Sequence, residues 1–137
     1  MNTKTKMHRI HSKGLKLGDS LGYFVHTHPH LRFGTKSNYP DALHSKDIYG
    51  LWDALYVGKQ GQGVLFVQYS SNGYHTLKQY EDWVFKTMQP VLLLSWYNRK
   101  GFKAKLIHLK KLNMELTYVE MALTGAGIET RTLLLEV

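Results

Sequence analysis

Apolar and polar positions along this chain fall into short blocks whose period changes from two to that of a helix and back. Residues 21–28 (LGYFVHTH) are rich in aromatic and β-branched side chains, the composition of a strand. Residues 30–44 (HLRFGTKSNYPDALH) gather Gly, Pro, Asn, Asp and Ser densely enough to predict one long loop, a feature that in compact domains is often functional. After the loop Ile48, Leu51, Trp52 and Leu55 recur at helical spacing, so the loop is expected to join a strand to a helix. The glycines at 58, 61 and 63 precede a strand rather than a helix and read as a turn, not as a phosphate-binding loop. The apolar run that begins at Gly63 predicts a buried strand, Ser70-Ser-Asn-Gly supplies turn chemistry, and residues 74–77 are expected to pair back as a hairpin.

Residues 79–88 predict a short helix ended by Pro90, whereas residues 91–97 suit a helix or a strand equally, because a short apolar run does not decide between them. Leu112, Leu116, Val119 and Leu123 keep a helical period, Gly125 and Gly127 end it, and residues 130–137 read as a last strand. The alternation predicts an α/β domain, a small mixed sheet with flanking helices. At 137 residues the chain fits one domain spanning 1–137, with residues 1–18 expected as a basic flexible tail.

Composition narrows the chemistry. Apolar residues make up 43% of the chain, which is globular rather than disordered. There is no cysteine, so a disulfide framework, a thiolate metal site and a cysteine nucleophile are all excluded, leaving His and carboxylate as metal ligands. No apolar segment follows the basic N-terminal residues or approaches the length of a membrane span, so a soluble chain without membrane partners is expected. A formal net charge of +8 points to an acidic partner, nucleic acid among them. The basic residues concentrate in the N-terminal segment and between Asn98 and Lys111, where solvated faces are the plainer reading.

His26 and His28 stand two apart in the first expected strand and would project from one face, with Thr27 on the other. Imidazoles about 2.0–2.1 Å from zinc, completed by a carboxylate and a water, make a catalytic zinc site. Asp47 suits the third position because it opens the expected helix after a loop long enough to fold back over the strand end, where the helix dipole tolerates an acid. The plainer alternative is a chance His-x-His in a sequence with eight histidines, and an Asp47 that only stabilises a helix start. His30 and His44 flank the loop and read as solvated histidines; His75 in the expected hairpin and His108 in a basic stretch are explained by cross-strand packing or surface exposure. Trp52, Trp83 and Trp96 sit among apolar neighbours as core or rim anchors, while Tyr69, Tyr74 and Tyr80 beside basic surface keep base stacking open.

His26-Thr27-His28-Pro29 after an apolar strand, followed by a loop, Ser45 and Asp47, resembles the His-x-His-Pro, Ser-x-x-Asp signature of the JAB/JAMM metallopeptidase family, over roughly residues 20–78. In style it is similar to the JAB-like domains at the ends of bacterial polymorphic toxins, which implies a secreted or delivered effector. The resemblance implies a JAB/JAMM, cytidine-deaminase-like architecture, zinc on His26, His28 and Asp47, and Ser45 stabilising the tetrahedral intermediate. The reaction implied is hydrolysis of an amide bond in a protein or peptide by a metal-activated water. Ser45 stands two residues before Asp47 where the family has three, and His44 occupies the family's serine position. The family's general base is an upstream glutamate, and residues 1–25 contain none. Asp19 is the only acid there, so four explanations stay open: Asp19 is the base, a distant Glu115 or Glu120 reaches the site, the first strand lies outside this chain, or the domain is silent. Three functions are expected from these features: a zinc peptidase or isopeptidase, a JAB-like binding module that cleaves nothing, and a basic metal-dependent nuclease or nucleic-acid binder.

Overall fold

The computed structural model describes residues 3–27, 52–74, 76–110 and 116–136. Helix α1 (Thr3–Ser20) leads into strand β1 (Phe24–Thr27), and β2 (Ala54–Val57) is joined to β3 (Val64–Ser71) by a single 3-10 turn at Lys59–Gly61. Helix α2 (Lys78–Thr87), strands β4 (Val91–Tyr97) and β5 (Gly101–Leu109), helix α3 (Thr117–Gly125) and strand β6 (Glu129–Leu135) are the remaining described elements. The six strands form one mixed sheet in sequence order, parallel between β3 and β4 and between β5 and β6 and antiparallel elsewhere. The expected α/β class and small mixed sheet with flanking helices are therefore present.

Two crossovers organise the layers. β5 and β6 run opposite to β3 and β4, so connections of the same hand place α2 and α3 on opposite faces. On one face α1 and α3 cover Tyr56, Val67, Leu92, Leu94 and Leu106, contributing Ile10, Val119 and Leu123. On the other, α2 lays Tyr80 and Val84 over Val91, Leu93 and Ile107, with Trp52 wedged between Phe66, Tyr80 and Trp83. β4 is buried on both sides from Val91 to Ser95. That burial resolves its ambiguous apolar run into a strand, since central strands of doubly covered sheets lose alternation.

Three expectations need correction. The segment read as a flexible basic tail forms α1, because Met7, Ile10, Gly14, Leu17 and Gly18 make a helical stripe between the lysines and pack on the sheet. The expected helix through Trp52 and Leu55 is strand from Ala54 onward. Burial there alternates residue by residue, and tertiary pairing overrides the accidental helical spacing. Among the described residues of the 74–77 segment there is no return strand; β3 pairs with β2 instead, and the chain after Tyr74 enters α2 and comes back parallel as β4.

Candidate functional site

Among the described strands β1 lies at the edge of the sheet, antiparallel to β2, with Val25 opposite Tyr56 and His26 opposite Leu55. Val25 meets α1 at Gly18, where an added Cβ would touch its side chain and the Tyr56 ring. Alternation along the strand therefore sends Phe24 and His26 to the face away from α1, and both are exposed. His26 makes no hydrogen bond or ion pair among the described residues, and Thr27 ends the described part of the strand.

Asp19 lies exposed in the last turn of α1, the helix that packs on the Val25 face of β1, whereas His26 projects from the other face. Glu120, an alternative acid, sits on α3 and accepts a 2.9 Å hydrogen bond from Thr132 Oγ1 on β6, the opposite edge of the sheet. His28, Ser45, Asp47, His44 and Glu115 lie outside the described residues. Among those described, no group of three or more His, Asp or Glu side chains is placed to hold a metal.

A polar constellation that the sequence pattern did not single out lies under α1. His11 Nε2 stands 3.6 Å from Asp53 Oδ1, and the other carboxylate oxygen accepts a 2.8 Å hydrogen bond from the Tyr69 backbone N–H. The His11 ring also packs on Tyr69. Tyr56 Oη donates to the Gly14 carbonyl at 2.7 Å, leaving the Tyr69 hydroxyl to donate to Tyr56 at 3.0 Å. Burial pushes the Tyr56 and Tyr69 phenols well above their ordinary range, so both stay neutral donors at any physiological pH. The chain of contacts runs from α1 through β2 to β3 and ties the helix to the sheet. Its members are far apart in sequence, and only the odd charge of Asp53 between Trp52 and Ala54 hinted at it.

His108 proves buried in β5, with no hydrogen-bond partner for Nδ1 among the described residues. Trp52 is fully buried, as expected of a core anchor. No protein-family model, characterised protein or solved structure matches the chain. No helix among the described residues is long and apolar enough to cross a membrane.

Proposed function

We propose that the chain is a zinc-dependent hydrolase domain of JAB/JAMM type, with His26 and His28 as imidazole ligands, Asp47 as the carboxylate and an amide bond of a protein or peptide as substrate. One observation carries the reading: His26 is exposed at the outgoing end of β1, on the face away from α1, and is followed two residues later in sequence by His28. Residues two apart on an extended strand project from one face, which suits a pair of imidazole ligands. The donor set suits zinc, which when bound lowers the pKa of a water toward about 7 and polarises a carbonyl. Ser45 would hydrogen-bond the oxygen that gains charge as the carbonyl is attacked.

The proton acceptor is assigned to neither Asp19 nor Glu120, since Asp19 belongs to a helix on the opposite face from His26 and Glu120 is bonded to Thr132. That separation favours a second version of the same reading, a metal-bearing module that binds a protein and cleaves nothing. Elemental analysis after dialysis without chelator, beside a His26→Ala/His28→Ala variant, tests both. Stoichiometric zinc that disappears in the variant supports the site, and peptide turnover that disappears with it selects the enzyme over the silent module. Equal metal content in the two proteins would sink both.

A further inference from the structure

The end of the sheet formed by the β4–β5 hairpin is basic on both faces. On the α2 face a cleft of about 280 Å³ opens over Ser95 and Leu93, and Lys103, Lys105 and Arg131 line it. Register explains the grouping: Lys103 lies opposite Ser95 on β4 and Glu129 on β6, and Lys105 lies opposite Arg131. Glu129 is the only carboxylate among the described lining residues and already pairs with Lys103 at 3.5 Å. On the α1 face a second cleft of about 400 Å³ is lined by Lys6, Arg9, Lys13, Trp96 and Asn98, with no carboxylate among the described lining residues. Between the two clefts the turn presents exposed Arg99 and Lys100.

Aromatic rings are interleaved with these charges. Lys13 Nζ stands 4.8 Å over the Trp96 ring and Lys103 Nζ 4.9 Å over Tyr97. The two rings are neighbours on β4 and therefore point to opposite faces, each into its own cleft. The polar groups beneath are already satisfied, since Ser95 Oγ accepts from Ser70 and Gly73 and Tyr74 donates to backbone carbonyls. What the surface offers is a field and ring faces, with few unmet hydrogen bonds to read a specific small ligand.

We propose that this hairpin end binds single-stranded nucleic acid, with the phosphates following the cations from one face to the other and bases resting on Trp96 and Tyr97. Cations paired with aromatic faces are what a sequence-tolerant single-strand site needs. A duplex has a persistence length of about 50 nm and cannot bend round a two-stranded hairpin without a large cost, whereas a single strand can. An acidic polypeptide would use the charges and leave the rings idle.

Fluorescence anisotropy of a labelled single-stranded oligodeoxynucleotide tests the proposal on the full chain in EDTA, so that any metal site is silent. A Lys100→Glu/Lys103→Glu/Arg131→Glu variant should weaken binding at least about tenfold and flatten the salt dependence, by about 0.7 in log–log slope for each phosphate no longer neutralised. Lys59→Glu/Lys86→Glu/Lys110→Glu makes the same change in net charge at the other end of the sheet and should weaken binding far less. Matching melting curves for the two variants exclude misfolding as the cause. Equal weakening in both would overturn the site in favour of diffuse attraction. Poly-L-glutamate competing as well as the oligonucleotide, duplex binding as tightly as single strand, or no binding at low salt would each overturn it too.

Discussion

At the scale of single residues, the attachment of α1 depends on what is missing at position 14. A Cβ built on Gly14 falls on the Tyr69 ring, which is itself held between Phe102, His11 and the Tyr56 hydroxyl and has little room to yield. Gly14→Ala gains helix propensity of about 1 kcal/mol, yet overpacking a fixed neighbour costs typically 1–3 kcal/mol. The substitution should therefore lower the melting temperature, against the usual direction for Gly→Ala in a helix, and differential scanning calorimetry reads the sign. The phenols under the helix set a second expectation. Burial raises the Tyr23 pKa to about 12 from an ordinary 10.0, and Tyr56 and Tyr69 shift the same way. The unfolded chain then releases these protons first, so their contribution to stability is intact below pH 10 and is lost as pH climbs through the folded values. Melting temperature measured against pH should fall steeply above 10, and Tyr56→Phe should make that fall shallower while lowering stability at neutral pH by removing the bond to Gly14.

At the scale of elements, legibility in the sequence depends on how local the deciding interaction is. α2 was legible because Pro90 and the apolar spacing of Tyr80, Trp83 and Val84 act within one or two turns, and β6 because Gly125 and Gly127 close the helix before it. β1 was legible from its aromatic and β-branched content. The segment around Trp52 was not, because Leu51, Trp52 and Leu55 satisfy a helical period by coincidence and only pairing with β3 shows the alternation that counts. The supposed hairpin after Ser70 failed for a related reason. Good turn residues mark a reversal without specifying the element beyond it, and here that element is the crossover helix of a parallel pair. α1 was hidden by its charge: five apolar or glycine positions carry the packing, while the lysines between them read as a solvated tail. The expected site divides along the same line. The position of His26 at a strand end was readable from neighbours in sequence, whereas the placement of Asp19 on a helix at the opposite face depends on how that helix docks, which no local pattern encodes.

At the scale of the whole molecule, His26 and the basic hairpin lie on different strands of one sheet, and that separation has a measurable consequence. β1 is the first strand and the basic hairpin joins the fourth and fifth, so among the described residues His26 and the Lys103 cleft share no strand and no direct partner. Perturbations at distant sites without common contacts add, to within a few tenths of a kcal/mol. Zinc bound only by the native state should stabilise it by about 2.7 kcal/mol at a hundredfold excess over Kd. For a domain of this size that corresponds to a rise of roughly 2–4 °C in melting temperature per kcal/mol. The rise should be the same in the wild type and in the Lys100→Glu/Lys103→Glu/Arg131→Glu variant, and absent from His26→Ala/His28→Ala. Oligonucleotide affinity in EDTA should show the reverse pattern, unchanged by removal of the histidines and weakened by the charge reversals. A zinc-induced shift abolished by the hairpin substitutions would mean that the cation binds at the basic end or that the two regions are coupled, and would reject the independence that the strand order implies.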